Sequence, residues 1–124
     1  MRDKLKILVV EDEGIIARWI CEGIKGLGAL PLQPVPKGLK AIEVALHEKP
    51  DLIFMDIRLA GPIDGIETAR IIKEKINIPI VFMSGFATEF IIKNAQTVGY
   101  LDFFKKPVRI EQLEGIIHQV EWGE

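Results

Sequence analysis

The sequence predicts an α/β fold in which a parallel β-sheet carries helices on both faces. Short apolar runs of strand length alternate with segments of helical period from one end of the chain to the other. The runs, among them Ile7-Leu8-Val9-Val10 and Leu52-Ile53-Phe54-Met55, are continuously apolar, the pattern of strands covered on both sides. Four runs also end on polar residues of different chemistry, at the sheet edge where such folds bind ligands.

The strands are predicted at residues 6–10, 30–33, 51–55, 80–83 and 100–104, and the helices at 13–27, 38–48, 65–76, 88–98 and 110–121. In the first helix Ile16, Trp19, Ile20, Gly23, Ile24 and Leu27 recur at three- and four-residue steps and mark one buried stripe, which Gly28 is placed to close. Cys21 reads as a small buried helix residue. The second strand, Leu30-Pro31-Leu32-Gln33-Pro34-Val35-Pro36, carries three prolines without ladder donors, so it belongs at an edge or is irregular. Asp64 is placed to cap the third helix, with Glu67 completing a capping-box-like pair. His47 and His118 read as ordinary surface or boundary histidines on helix faces, neither with a partner at metal-ligand spacing.

At 124 residues the chain is long enough for one core without disulfides, and a single domain over 1–124 is expected, the last helix ending just before Trp122-Gly123-Glu124. Sixteen basic against eighteen acidic residues leave a net charge of −2, which argues against direct nucleic-acid binding. One cysteine, no membrane-length apolar run and no signal-peptide segment lead to the expectation of a cytoplasmic domain without membrane contact.

The chemistry sits at the strand ends. Glu11 and Asp12 follow the first strand, Asp56 the third, Ser84 the fourth and Lys106 the fifth. Clustered carboxylates repel unless a cation neutralises them. An oxygen-only set with few protein ligands suits Mg2+, which keeps several waters and binds through carboxylates plus a phosphate. Lys106 adds a charge for a phosphoryl oxygen and Ser84 a hydroxyl donor, a set suited to phosphoryl transfer onto Asp56. Taken singly, the tripeptide Glu11-Asp12-Glu13 reads equally as a solvated helix entrance, and Ser84-Gly85 and Lys105-Lys106-Pro107 as surface turns.

Taken together, five segments resemble the receiver domain of response regulators, the phosphoacceptor module of two-component signalling. They are Leu8-Val9-Val10-Glu11-Asp12-Glu13, the stretch from Pro50 to Leu59 around Asp56, Asp64-Gly65-Ile66-Glu67-Thr68-Ala69, Pro79 to Gly85, and Phe103-Phe104-Lys105-Lys106-Pro107. The resemblance implies a flavodoxin-like, doubly wound five-stranded sheet of order 2-1-3-4-5 with five helices. It implies that Asp56 accepts a phosphoryl group from a histidine kinase or histidine phosphotransfer protein. Mg2+ is then held by Asp12, Asp56, the backbone carbonyl of Arg58 and, through water, Glu11. Lys106 contacts the phosphoryl group, Ser84 is the switch hydroxyl, and Phe103 is the switch aromatic, turning inward from a more exposed position. The output face is the fourth helix, fifth strand and fifth helix, with homodimerisation on phosphorylation as a further expectation. Such a domain catalyses only its own phosphorylation and dephosphorylation. A phosphohistidine partner is expected at the rim, near Gly14, Ile15, Arg18, Pro107 and Val108, with Ile15 reading equally as a core residue.

The loop Ile57-Arg58-Leu59-Ala60-Gly61-Pro62-Ile63-Asp64 is one residue longer than the family's commonest, and Gly85 stands where alanine is more usual. Arg58 and Phe86 occupy variable positions that influence phosphoryl lifetime in the family. A phosphatase similar to the haloacid dehalogenases wants an acid two residues past its nucleophile, where this chain has Arg58; a nucleotide-binding domain wants glycines where it has Glu-Asp-Glu. A receiver module of a hybrid histidine kinase, or an interaction module that is not phosphorylated, are the remaining alternatives.

Overall fold

The computed structural model describes residues 4–123. The elements are β1 (Lys6–Val10), α1 (Gly14–Gly26), β2 (Leu30–Pro31), α2 (Gly38–Glu48), β3 (Leu52–Asp56), α3 (Gly65–Lys75), β4 (Ile80–Ser84), α4 (Glu89–Val98), β5 (Asp102–Lys105) and α5 (Ile110–Glu121). All strand pairs are parallel and the order is β2-β1-β3-β4-β5, the doubly wound sheet expected.

Continuous apolarity along each strand is explained by two cores. Leu8, Val10, Ile53, Met55, Ile80 and Phe82 point to one face and pack with Ala41, Ala45, Ala69, Ile72 and Ala95 of α2, α3 and α4. Ile7, Val9, Leu52, Phe54, Val81 and Met83 point to the other and pack with Ile20, Ile24, Leu113, Ile116 and Ile117 of α1 and α5. Each large side chain buried this way stabilises the fold by roughly 1.5–3 kcal/mol, so the three central strands are rigid platforms for whatever follows them.

The first helix ends as its sequence suggests. Leu27 is the C-cap, Gly28 takes φ +89°, its N–H donates to the Lys25 carbonyl and that of Ala29 to the Ile24 carbonyl. That pairing is a Schellman closure, which needs the left-handed conformation glycine adopts without strain.

Four expectations are corrected. The second strand is two residues long, not four, because proline interrupts the ladder: Leu30, Leu32 and Val35 donate to the Leu5, Ile7 and Val9 carbonyls, and the register slips by one residue between Leu32 and Val35. Trp19 is not in the core stripe but 46 % exposed; Ala17, Ile20 and Ile24 form the buried line instead, so the stripe lies to one side of the tryptophan. Cys21 is half-buried rather than buried. Asp64 caps α3 by accepting from the Glu67 N–H at 2.9 Å, but the Glu67 carboxylate pairs with Arg70 Nη1 at 2.7 Å, one turn onward.

Candidate functional site

Strand register brings the polar residues together. Val10 pairs with Met55, Asp56 with Met83 and Ser84 with Lys105, so Glu11, Asp56, Ser84 and Lys106 come off neighbouring strands at one edge. The backbone is tied across that edge: Ile57 N–H donates to the Met83 carbonyl at 3.0 Å and Lys106 N–H to the Ser84 carbonyl at 2.8 Å.

Glu11 and Asp56 are buried, Asp12 is exposed, and each offers a carboxylate oxygen within 4.8 Å of the other two. Lys106 Nζ sits 3.0 Å from Asp56 Oδ2 and 2.7 Å from Glu11 Oε1. The Asp56 contact is a hydrogen bond; the Glu11 contact is close in charge but lies outside hydrogen-bonding angles. Glu11 Oε1 is therefore the one buried side-chain oxygen or nitrogen among the described residues without a hydrogen-bond partner. The remaining oxygens are held by backbone: Glu11 Oε2 by Glu13 N–H, Asp56 Oδ1 by Arg58 N–H and Asp12 Oδ2 by Ala60 N–H.

Burial pushes the Glu11 carboxyl up to about 7; Lys106 pulls it down, but Asp56 raises it further. Burial disfavours the Lys106 ammonium, yet its pairing with Glu11 and Asp56 outweighs that and leaves its pKa above the usual lysine value. Three convergent carboxylates, two of them buried, fit a hard divalent cation. Arg58 lines the same pocket.

The Ser84 hydroxyl is buried and bonded to the turn that follows it, donating to the Phe86 carbonyl at 2.8 Å and accepting from the Phe86 N–H at 3.0 Å. Phe103 is half-buried, edge-on to Tyr100 at 5.9 Å, so any inward turn starts from a position already packed against the core.

The rim residues divide into two groups. Ile15, 88 % exposed and so not a core residue, lines a groove with Ile16, Trp19, Pro107 and Val108. Gly14 and Arg18 instead line a depression with Asp12, Cys21 and Pro34, on the β2 side of α1. Trp19 is the groove residue that sequence reasoning assigned elsewhere; its position four residues after Ile15, on one helix face, was the available signal.

A family model described as the response regulator receiver domain matches residues 7–118, most of the chain and every strand-end residue above. The chain belongs to the response regulator receiver domain family. The transcriptional regulatory protein PdtaR of Mycobacterium tuberculosis (strain ATCC 25618 / H37Rv) is 31 % identical over 108 residues, covering 87 % of this chain and 52 % of that protein. The chain thus spans about half of that relative's length. Sporulation initiation phosphotransferase F of Bacillus subtilis (strain 168) is 29 % identical, with 90 % of each chain covered. Among solved structures, the signal receiver domain of a modulated diguanylate cyclase from Desulfovibrio desulfuricans G20 superimposes with a TM-score of 0.86 at 29 % identity, covering 98 % of this chain and 100 % of that one. The receiver fold and the tie to two-component signalling follow. No helix among the described residues is long and apolar enough to cross a membrane.

Proposed function

We propose that this receiver domain is phosphorylated on Asp56 by a phosphohistidine of a histidine kinase or histidine phosphotransfer protein, in a magnesium-dependent reaction in the cytoplasm. The observation that carries the reading is the Lys106 ammonium, 3.0 Å from Asp56 and 2.7 Å from Glu11, at a cluster of three carboxylates whose oxygens lie within 4.8 Å of one another. Asp12, Asp56, the Arg58 carbonyl and, through water, Glu11 would hold the cation. When bound, it supplies positive charge that offsets the phosphoryl oxygens and the clustered acids.

The residues of the chain do the rest. An Asp56 oxygen bonds to phosphorus as the phosphorus–nitrogen bond to the imidazole breaks. Lys106, already paired with Asp56, offers a cation to the transferred oxygens without reorganising. The groove of Ile15, Trp19, Pro107 and Val108 beside Lys106 receives an apolar helix face of the donor. The attached group then draws the Ser84 hydroxyl from Phe86, and Phe103 moves on the α4–β5–α5 face. One hydroxyl hydrogen bond supplies about 1–3 kcal/mol, less than the roughly 5.5 kcal/mol needed to move a population from 1:99 to 99:1, so Lys106 and a binding partner share the shift.

Intact-mass measurement after treatment with acetyl phosphate tests the reading. One phosphate adduct that needs magnesium is expected, and Asp56→Asn should carry none. An equal adduct in Asp56→Asn overturns the assignment.

A further inference from the structure

The Ser84 hydroxyl is held by a turn that carries a second restraint. Ser84 Oγ makes both of its hydrogen bonds to the backbone of Phe86, two residues on. The Phe86 ring, 56 % exposed, lies under the Arg58 guanidinium, whose carbon is 5.0 Å from the ring centroid. Both residues line the pocket that contains Asp12, Asp56 and Lys106. The stack therefore joins the loop after β3 to the turn after β4 across the mouth of that pocket.

We propose that Arg58 and Phe86 are positioning residues that latch the Ser84 hydroxyl away from Asp56, so that Ser84 turns toward a phosphoryl group only as the Arg58–Phe86 stack opens. The inference rests on the assignment of Asp56 and Ser84 proposed above. Its physical basis is geometric: a hydroxyl that donates to the Phe86 carbonyl and accepts from the Phe86 N–H cannot rotate to the acids without breaking both bonds. Keeping the ring under Arg58 keeps the Phe86 backbone in place. Between the two residues, Gly85 has no side chain, and a Cβ there would meet nothing within 4 Å. Glycine, without a side chain, gives the backbone freedom at the point next to Phe86.

The latch competes with the phosphoryl group, so breaking it should tighten binding of a phosphoryl mimic. An exposed cation–π contact carries about 0.5–1 kcal/mol, equivalent to a roughly two- to five-fold change in affinity. Magnesium and beryllium fluoride are titrated into the intact chain and followed by NMR. Phe86→Ala should bind about two- to five-fold more tightly than the parent, while Phe86→Tyr, which keeps the ring face, should match it. Arg58→Gln also removes a charge near the anion, so its effect is compared with and without the Phe86 ring; the two should differ by about the same two- to five-fold. In the bound parent the Arg58 Nε–H signal should lose its ring-current shift. Both side chains are exposed, so the variants are expected to fold. If Phe86→Ala binds no more tightly while Ser84 still shifts in the parent, or if Arg58 stays ring-shifted in the bound form, the latch is overturned and the Asp56 reading stands. If the parent does not bind the mimic at all, the Asp56 reading falls and the latch with it.

Discussion

The loops after β3 and β4 start from the two central residues of one site, Asp56 and Ser84, and are built in opposite ways. After β3, the Gly65 N–H donates to the Ile57 carbonyl at 2.8 Å and closes the loop at its base. A Cβ on Gly65 would run into the Asp56 carbonyl oxygen and lie 2.8 Å from Ile57 Cα. Ala60 N–H reaches Asp12, Ile63 fills the space beside Gly38, and Asp64 caps α3. After β4, a Cβ on Gly85 would meet nothing within 4 Å, and the turn is held by the Ser84–Phe86 hydrogen bonds, the Arg58 stack and, at its far end, the Thr88 cap of α4. The packed loop backs the acids, its Arg58 and Ala60 N–H groups donating to Asp56 and Asp12; the hydroxyl that must turn is tied to the open one. Segments with few packed contacts open at the least cost in free energy, and the difference places the moving part on the β4 side.

The largest break in that contrast should come from Gly65→Ala. Forcing a methyl into backbone leaves no side chain able to give way, and a loss of about 3 kcal/mol of stability in denaturant melts is expected. A loss under about 1 kcal/mol would mean that the packed loop yields as easily as the open one.

Saturating magnesium should raise stability by about 2.7 kcal/mol at a hundred times its dissociation constant, since it binds only the folded acids. Thermal melts of the parent and of Asp12→Ala test this. An equal shift in both contradicts the placement of the cation.

Without magnesium, pH should act through Glu11. Its folded pKa, about 7, lies above the ordinary 4.5, so between those values the folded chain binds more protons than the unfolded one. Stability is then greatest below the window and falls as pH rises, by about 2 kcal/mol from about pH 5 to pH 7. The raised pKa of Lys106 lies above that window and adds no slope within it. Urea midpoints across the range should fall in the parent and stay nearly flat in Glu11→Gln. A parallel fall in both would assign the slope to other groups.

Gly85→Ala should have the smallest effect and the opposite sign to Gly65→Ala. The site accepts a methyl without contact, and restricting the unfolded chain should add about 0.4–1 kcal/mol. A destabilisation would show that the turn needs more than space.

Much of this arrangement was legible before the fold was known. Apolar runs ending at Glu11, Asp56, Ser84 and near Lys106 put the chemistry on one sheet edge, because a run of buried residues must stop where the strand meets solvent. The strand order came with the family resemblance, as no residue pattern specifies which parallel strands are neighbours. Trp19 was misplaced because a helical stripe three residues wide has margins, and periodicity alone does not say which margin faces α5. Side-chain commitments were hidden too. That Ser84 turns to Phe86, that Arg58 covers the ring and that Glu67 prefers Arg70 are choices among rotamers, settled by tertiary neighbours that sequence spacing does not reveal.

The contrast between the two loops is tested most directly by backbone relaxation dispersion, which reports motion on the μs–ms scale. In the magnesium-bound chain, residues 84–88 should show dispersion that disappears when beryllium fluoride is added, while residues 57–65 stay flat throughout. Flat profiles at 84–88, or dispersion of equal size at 57–65, would contradict a fixed loop behind the acids facing a movable hydroxyl.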